Sequence, residues 1–356
     1  MTDVTGTSHS VAGAANRVAS LRDVARAAGV SVSTASRVLS GSSHPVSQGT
    51  RASVMAAADE LGFQPNRLAR ALATARTQSV GAVVHDVSDP YYAELVRGLE
   101  DVIGAHDHTL LVSSSDRDLD KELSLLGTFV ANQVDAIILA ASGLVGADYL
   151  ERVSVVLDRF VDLGGVVVVT AEHPYPAPRV GFQNAEAMRQ IIRHLLDLGH
   201  TRIGFLEGPP NLVVSGVRLS GYRAALEEVG LSFDPDLVEC GWVSMEGGAA
   251  ATSALMERAR PTAIAAGNDL MAFGALRRLR EEGVSVPEKM SVVGFDDIEF
   301  AGYATVPLTT VRVPLAELGR MGGQLAMDLL GGMTPPETAA LSPELVIRDS
   351  TAAAAE

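Results

Sequence analysis

From residue 80 onward the chain alternates short apolar runs with longer amphipathic segments, and this alternation constrains the fold more than any other feature. The apolar runs are predicted to be strands, at 80–85, 109–113, 136–140, 166–170, 203–206, 263–266 and 291–295. The segments between them are predicted to be helices, at 91–103, 120–132, 185–198, 219–229, 245–258 and 269–282. Strands separated by helices form parallel sheets with helices on both faces. Because this body of about 275 residues exceeds one usual domain, we expect two doubly wound α/β lobes.

The residues before this body follow a different pattern, that of a small all-α domain. Helices are predicted at 21–28, 32–39 and 47–61. Gly29 makes a tight turn after the first helix, and Ser20 and Ser31 stand where side chains cap helix N-termini. This is the pattern of a helix-turn-helix, whose second helix enters the major groove of DNA by its N-terminal end. The alternative interpretation is a plain three-helix bundle with solvated serines and arginines.

Charge is distributed unevenly between these two regions. The 356-residue chain has a net charge of −15, yet residues 1–79 carry eight arginines against four acidic residues. Residues 80–356 carry 20 basic and 39 acidic residues, a balance of −19. A basic head on an acidic body predicts a DNA-binding module joined to a domain with another task. The acidic body would repel DNA and leave binding to the head.

Composition and motifs exclude several classes of protein. The single cysteine, Cys240, rules out an internal disulfide and a cysteine-rich zinc site, and we expect a cytoplasmic protein. No apolar run has the length of a membrane span, and we expect neither a signal peptide nor a membrane partner. Nucleotide-binding, zinc-protease and serine-hydrolase motifs are absent, so no catalytic residue, metal ligand or cofactor is assigned. We interpret His106-Asp107-His108 as a solvated turn rather than a metal site.

The head closely resembles the DNA-binding domain of the lac repressor / galactose repressor family over LRDVARAAGVSVSTASRVLS at 21–40. Further landmarks of the head are VS at 46–47, TR at 50–51, ELGF at 60–63 and PN at 65–66. Those of the body are DVSDPYY at 86–92, LGHTRI at 198–203, GPP at 208–210, RLSGY at 218–222, NDLMA at 268–272, VGFDD at 293–297 and PLTTV at 307–311. The resemblance implies a hinge helix after the head and a body like the type I periplasmic binding proteins, with a ligand cleft between two lobes.

The second helix of the head carries the predicted contacts to DNA bases. Val32, Ser33, Thr34 and Arg37 face outward at its N-terminal half, and Arg37 can contact a guanine in bidentate fashion, worth about 1–3 kcal/mol of discrimination. The resemblance adds further DNA contacts at Ser31, Ser36, Thr50, Arg51, Asn66, Arg67, Ala69 and Leu72.

The short segment 67–72 looks like the hinge helix of the family. The resemblance implies that it folds on operator DNA and that Leu72 wedges between base pairs in the minor groove, while small Ala69 allows close approach of the backbone. An apolar wedge of this kind offsets the cost of unstacking by bending DNA onto a larger contact. The alternative is that Leu72 is a stray apolar residue in a linker.

Several polar residues follow directly on predicted strands of the body. They are Asp89, Tyr91 and Tyr92 after the first strand, Asn268 after 263–266 and Asp296 after 291–295. Ligands of open α/β sheets bind at the carboxyl ends of the strands. The resemblance implies that Arg218, Asn268 and Asp296 bind the hydroxyl groups of an effector, and that Tyr91 or Tyr92 together with Trp242 covers its apolar face.

Alternatives remain open for these side chains. Arg218 could pair with a surface acid, Trp242 could pack in a core, and Asn268 and Asp296 could cap the helices that follow them. Leu212 and Val214 stand where purine-binding relatives carry polar groups, which favours a sugar or polyol over a purine. No heptad repeat follows residue 349, so we expect a homodimer rather than a zipper-linked tetramer.

The expected organisation is a disordered tail at 1–19, a helix-turn-helix domain at 20–65, a hinge helix and linker at 66–79 and an effector-binding and dimerisation domain at 80–350. The chain should cross between the lobes near 198, 311 and 342. The expected function is that of a dimeric repressor released from a near-palindromic double-stranded operator by a small sugar-like effector. The alternatives are control by a corepressor or protein partner, a sugar-binding protein without a DNA role, and an enzyme fused to a DNA-binding head.

Overall fold

The computed structural model describes residues 19–39, 44–63, 76–334 and 339–354. The chain divides into two compact units, residues 1–77 and 78–356. The predicted tail lies outside the described residues except for Ala19, and so do the predicted hinge helix and its contact residues Asn66, Arg67, Ala69 and Leu72.

The first unit is built of three helices, α1 (Leu21–Ala27), α2 (Val32–Leu39) and α3 (Gln48–Glu60). Ser20 and Asp23 form a capping box that starts α1, and the backbone of Gly29 takes φ = +65° in the turn toward α2. The side chain of Ser31 accepts a hydrogen bond from the backbone N–H of Thr34 at 3.1 Å and so caps α2. The three helices share a small core that contains Val24, Ala35, Val38, Val54, Ala57 and Ala58.

The second unit contains twelve strands within the described residues. They are β1 (Ser79–Val84), β2 (Thr109–Ser114), β3 (Ala136–Leu139), β4 (Val166–Val169), β5 (Val180–Phe182), β6 (Ile203–Glu207), β7 (Val238–Cys240), β8 (Ala263–Ala266), β9 (Ser291–Val293), β10 (Thr310–Arg312), β11 (Ala339–Leu341) and β12 (Glu344–Val346). Its α-helices are α4 (Pro90–Ala105), α5 (Leu119–Ala131), α6 (Ala147–Asp162), α7 (Asn184–Asp197), α8 (Val213–Glu228), α9 (Met245–Arg258), α10 (Asp269–Glu281) and α11 (Leu315–Leu330). Short 3₁₀ turns lie at Pro235–Leu237 and Glu299–Gly302.

The first lobe is a parallel sheet of order β2-β1-β3-β4. Val80 pairs with Leu110 of β2 on one side and with Ala136 of β3 on the other. Alternate residues of β1 enter different cores: Val80 packs with α4 and α11, and Val83 packs with α5 and α6. Burial on both faces explains why these strands are continuous apolar runs rather than alternating ones.

The second lobe repeats this design with a parallel sheet of order β7-β6-β8-β9. Helices α7 and α8 pack together on one face, and α9 and α10 pack together on the other. Phe205 of β6 stacks on Tyr222 of α8 with 5.4 Å between ring centroids, whereas Leu206 faces the core of α9 and α10. The predicted pair of doubly wound lobes is therefore present.

Three described segments connect the lobes. The first follows β5, because α7 already packs against α8 and β8 of the second lobe. The crossing predicted near 198 is therefore wrong by about fifteen residues, since helix 184–197 belongs to the second lobe. The second segment joins β10 to α11, which returns to the first lobe against α4. The third joins β11, which pairs with β5, to β12, which pairs with β10.

Candidate functional site

The carboxyl ends of both sheets face a cavity between the two lobes of the body. The cavity has about 990 Å³ of space when its open mouth is counted. Its walls include Asp89, Tyr91, Tyr92, Arg218, Asn268 and Asp296, six of the seven residues that the sequence predicts for effector binding. Residues that are far apart in sequence therefore meet at the carboxyl ends of the strands, where open α/β sheets bind ligands.

Arg218 of α8 is the most constrained side chain of this cavity. Its Nε donates to Asn184 Oδ1 at 3.1 Å, one Nη donates to the carbonyl oxygen of Gly267, and the other donates to Asp296 Oδ1 at 3.4 Å. The guanidinium carbon lies 3.6 Å from the ring centroid of Phe295. These contacts fix the planar fork, so Arg218 pairs with a buried cleft acid and not with a surface one.

Asp296 is held equally firmly at the junction between the lobes. Its backbone has φ = +112°, its N–H donates to Val311 O at 2.9 Å, and its carbonyl accepts from Val313 N at 3.1 Å. Burial raises the pKa of Asp296 well above its usual range, while the Arg218 charge opposes that rise. Side by side, a guanidinium and a carboxyl group offer the donors and acceptors that sugar hydroxyls need.

Asn268 and Asp89 both cap helices and both line the cavity. Asn268 Oδ1 accepts from the backbone N–H of Met271 at 3.0 Å, and Asp89 Oδ1 accepts from that of Tyr91 at 3.0 Å. Burial raises the pKa of Asp89. The capping role that the sequence left open for Asn268 is therefore observed, and it coexists with a place in the cavity wall.

Two aromatic residues at the start of α4 form one side of the cavity. The rings of Tyr91 and Tyr92 meet edge to face with 4.9 Å between centroids, and Tyr92 also contacts His85 at 6.0 Å. Burial raises the pKa of both phenol groups, so they remain protonated donors.

The structure does not bring Trp242 together with the other predicted effector-binding residues. Trp242 is 55% exposed and is not part of the cavity wall, although its neighbour Val243 is. Its ring centroid lies 5.6 Å from the guanidinium carbon of Arg117, a wall residue of the first lobe. Trp242 is therefore positioned beside a cavity residue rather than inside the cavity.

Three wall residues of the first lobe escaped the sequence prediction. They are His85, Arg117 and Thr170, and each has a buried polar atom that lacks a hydrogen-bond partner among the described residues: His85 Nε2, Arg117 Nε and Thr170 Oγ1. His85 and Thr170 directly follow β1 and β4, so the same strand-end rule could have found them. Burial and the nearby Arg117 charge lower the pKa of His85 to about 3, so its ring is neutral near pH 7.

The lobes also touch through their backbones at the edge of the cavity. The loop after β3 meets the start of α8, where Val145 N donates to Asn211 O at 2.7 Å and Val213 N donates to Gly143 O at 3.0 Å. Ser142 Oγ accepts from Val214 N at 3.1 Å. These bonds join the two lobes directly across the cleft.

The predicted DNA-contact residues of the first unit lie on its surface. Ser31, Val32, Ser33, Ser36 and Arg37 are exposed on and just before α2, and Thr34 is half-buried. At the start of α3, Arg51 is exposed and Thr50 is half-buried. Six of these eight side chains can therefore be reached from outside without rearrangement.

Other kinds of site find no support in the part of the chain that the structure describes. No group of three or more histidine, cysteine or acidic residues could hold a metal ion there. No described helix has both the length and the apolar character needed to cross a membrane.

Two protein families match the chain. Residues 20–66 match the bacterial regulatory proteins of the lacI family, and residues 192–351 match a periplasmic binding protein-like domain. The HTH-type transcriptional regulator GalS of Salmonella typhimurium is 36% identical over 93% of this chain and 96% of its own length. A transcriptional regulator CelR–cellobiose complex is similar with a TM-score of 0.69 and 33% identity, covering 93% of this chain and 99% of that one. A lac repressor dimer bound to operator and the anti-inducer ONPF is similar with a TM-score of 0.83 and 28% identity, covering 95% of this chain and all of that one.

Proposed function

Because this chain belongs to the lacI family of bacterial regulatory proteins, we propose that it is a dimeric repressor that a small polyhydroxylated effector releases from its operator. The chain is a DNA-binding transcription regulator by family. The observation that carries the finer proposal is the Arg218–Asp296 pair, in which Arg218 also donates to Asn184 and Gly267, in a cavity between the two lobes. The cavity around this pair can distinguish an open from a closed cleft, because its wall residues come from both lobes.

The first unit is proposed to read a near-palindromic, double-stranded operator. In this proposal, α2 enters the major groove and Arg37 contacts a guanine. Ser31 and the residues at the start of α3 contact the sugar-phosphate backbone of the DNA. Asn66, Arg67, Ala69 and Leu72 are proposed to act in the adjacent minor groove. Arg37→Ala should lose specific operator binding and keep non-specific binding at low salt, measured by fluorescence anisotropy. Unchanged specific binding would contradict this assignment.

The effector is proposed to be a sugar or polyol bound between the lobes. Asp89, Arg218, Asn268 and Asp296 supply hydrogen bonds, and Tyr91 and Tyr92 supply an aromatic wall. Trp242 is proposed to cover the mouth beside Arg117. The similar CelR structure is a complex with cellobiose, which supports a carbohydrate ligand.

A second copy of the chain is proposed to dock on an apolar groove of the second lobe. The groove lies between α10 and the 3₁₀ turn at Glu299–Gly302, and its walls include Phe273, Leu276 and Val284. Met245, Phe300 and Tyr303 at its surface are 44%, 57% and 83% exposed. Exposed apolar patches of this kind mark protein interfaces. Sedimentation equilibrium should give a dimer, and Tyr303→Glu should shift it toward monomer.

Regulation is proposed to follow from a difference in effector affinity between two lobe arrangements. Binding changes the lobe angle at the three connecting segments, which moves the first lobes and separates the hinge segments from DNA. A corepressor would act through the same connecting segments but would favour the DNA-binding arrangement. A protein partner would act from another surface of the body. The single cysteine supports a cytoplasmic location, and the regulators among its relatives support a role without catalysis.

A thermal-shift screen of the whole chain against sugars, polyols, sugar phosphates and nucleosides tests the proposal. Ligand at about 100 times its dissociation constant should add about 2.7 kcal/mol of stability. The stabilising compound should also lower operator affinity. Arg218→Met should abolish both effects, and Arg193→Met, which removes a surface pair between Arg193 of α7 and Glu228 of α8, should keep them. A stabiliser that tightens operator binding would contradict the inducer proposal and favour a corepressor.

A further inference from the structure

We propose that the effector carries an oxyanion group, a carboxylate or a phosphate, and that Arg117 receives it in the first-lobe half of the cavity. The inference rests on the proposed function, because it names the chemical class of that effector. It is carried by a buried guanidinium nitrogen and by two polar atoms of other wall residues, none of which has a hydrogen-bond partner among the described residues.

The loop between β2 and α5 is built to direct Arg117 into the cavity. Asp116 and Arg117 have φ of +53° and +62°, a left-handed conformation that residues other than glycine seldom adopt. The loop is fastened at both ends: Ser115 N donates to Val84 O at 2.9 Å, Asp116 N donates to His85 O at 2.8 Å, and Asp118 caps α5. A backbone held in this conformation indicates that the placement of Arg117 is specified by the surrounding structure.

The three arginines of the cavity wall differ in how they are satisfied. Arg218 pairs with Asp296, and Arg179 Nη2 donates to the carbonyl oxygens of His173 and Tyr175, both at 3.2 Å. Arg117 has a buried Nε without a hydrogen-bond partner among the described residues. A buried cationic donor without an acceptor costs free energy, and a ligand oxyanion would remove that cost with a charge-assisted hydrogen bond.

The acids around Arg117 are occupied elsewhere. Asp86 and Asp89 are near enough for its charge to favour their ionised forms. However, Asp86 Oδ1 accepts from both the backbone and the hydroxyl of Ser88, and Asp89 Oδ1 accepts from Tyr91 N. Their charges act on Arg117 over a distance without giving it a contact.

Two more donors lie in the same half of the cavity. His85 is 3% exposed and Thr170 is 1% exposed, and the unpaired His85 Nε2 and Thr170 Oγ1 belong to cavity-wall residues. His85 Nδ1 lies 3.4 Å from Ser115 Oγ, and in the tautomer in which Nδ1 accepts from that hydroxyl, the neutral ring has an N–H at Nε2 that it can donate to a ligand. An N–H, an O–H and a guanidinium together suit a group that accepts several hydrogen bonds and bears negative charge.

The two halves of the cavity therefore favour different parts of one ligand. The Arg218–Asp296 pair of the second lobe is already neutralised and suits hydroxyl groups. Asp89 and Glu172 also line the first-lobe half, yet Arg117 Nε has no hydrogen-bond partner there among the described residues and suits an oxyanion. A polyhydroxylated acid or a sugar phosphate satisfies both halves, whereas a neutral sugar leaves Arg117 without its counter-ion.

The first experiment uses inorganic phosphate as the probe and thermal unfolding of the whole chain as the readout. At constant ionic strength, phosphate replacing chloride should raise the melting temperature of the wild type more than that of Arg117→Gln. The control is Arg152→Gln, which removes an exposed arginine of the same lobe that pairs with Asp120, and it should respond like the wild type. Circular dichroism checks that each variant is folded, and Arg117→Lys should keep part of the response. Equal responses of wild type and Arg117→Gln would overturn the inference.

The second experiment identifies the source of the oxyanion by calorimetric titration with matched compounds. Glucose, gluconate, glucuronate and glucose 6-phosphate form one series, and the galactose compounds form another. In the series that binds, the acid or the phosphate ester should bind about 10- to 100-fold more tightly than the neutral sugar, and Arg117→Gln should abolish this preference. Tighter binding of the gluconate-type acids indicates a carboxylate, and tighter binding of the ester indicates a phosphate.

The outcomes separate this inference from the proposed function. A neutral sugar that binds more tightly than its acids, is unaffected by Arg117→Gln and releases operator DNA would overturn the inference and leave the proposed function standing. Anion binding that depends on Arg117 but never changes operator affinity would support the site and contradict the proposed function.

Discussion

The two lobes of the body share one sheet order and helices on both faces, yet their halves of the cleft differ in how polar groups are satisfied. In the second lobe, Arg218 has three protein acceptors and an aromatic ring beneath it. In the first lobe, His85, Arg117 and Thr170 each keep a buried polar atom without a partner in the described residues. Two lobes with the same topology can therefore differ in chemistry, because the cavity residues that follow the strands differ in identity between the lobes.

This difference assigns different tasks to the two halves. A satisfied network is rigid and stabilises the lobe before any ligand arrives. Unpaired polar groups lower the stability of the free protein and gain hydrogen bonds when a ligand binds. The first-lobe half is therefore expected to contribute mainly to ligand affinity, and the second-lobe half mainly to the stability of the free protein. Substitutions in the two halves should therefore differ in their effect on stability.

Replacing Arg218 should be the most damaging change in the cavity. Arg218→Met leaves the buried carboxyl of Asp296 without its cation, and we expect a loss of about 3–5 kcal/mol in the free energy of unfolding. Since burial raises the pKa of Asp296 and removal of the Arg218 charge would raise it further, the loss should grow with pH and be greater at pH 8 than at pH 5. Urea unfolding followed by circular dichroism measures both values. The exposed pair removed by Arg193→Met should cost less than about 1 kcal/mol. Equal losses in the free energy of unfolding for the two variants would show that the hydrogen bonds of Arg218 do not stabilise the second lobe.

Asp269, fully buried at the start of α10, should make the second lobe less stable as the pH rises. It accepts from Thr310 Oγ1 at 2.6 Å and from Ile298 N at 2.9 Å, and burial raises its pKa to about 7. The folded state thus holds the proton more tightly than the unfolded chain. The stability present below about pH 4 is lost as the pH rises toward 7. Between pH 4.5 and 6.5 the contribution should fall by about 2.4 kcal/mol, visible as the difference between wild type and Asp269→Asn. A flat difference over that range would refute the assignment.

His85 should produce the opposite pH dependence in the first lobe. Its pKa is lowered to about 3 by burial and by Arg117, so the folded state resists protonation that the unfolded chain accepts near 6.5. Stability is therefore complete above about pH 6.5 and is lost as the pH falls. The difference between wild type and His85→Gln should change by about 2 kcal/mol between pH 6.5 and 5. Equal pH dependence in the two proteins would place the acid sensitivity elsewhere.

Loss of the contact between Arg117 and Trp242 should have the smallest effect on stability, but it can be followed by tryptophan fluorescence. Trp242 is the only tryptophan of the chain, and a cation near an exposed ring contributes about 0.5–1 kcal/mol. We expect Arg117→Gln to shift the emission maximum of the free protein while stability changes by no more than that amount. Ligand binding should shift the emission of the wild type, because the two residues belong to opposite lobes. Identical spectra with and without bound ligand would show that Trp242 takes no part in closure.

Local sequence was sufficient wherever a segment carries its own signal. The apolar runs of β1, β3 and β8 appear at the predicted places, and α9 has the predicted bounds. It was insufficient for α11, which was not predicted, and for α8, which begins six residues earlier than predicted. Both helices contain glycines, which weaken the local helix signal. A Cβ at Gly319 would meet the backbone of α4, and one at Gly221 would meet the backbone of α7. Close helix packing therefore requires the same glycines that weaken the helix signal in the sequence.

By itself, the sequence determined the class of fold, the helix-turn-helix head and six residues of the cavity wall, because periodicity, caps and strand ends are local properties. Only the tertiary structure decided the crossing after β5, the acceptors of Arg218 and the isolation of Arg117. Asn184 and Gly267 lie 34 and 49 residues from Arg218 in the chain. Such distances carry no local signal. They are closed only when α7, α8 and the end of β8 pack together in the second lobe, and that packing determines which polar groups find partners within the protein.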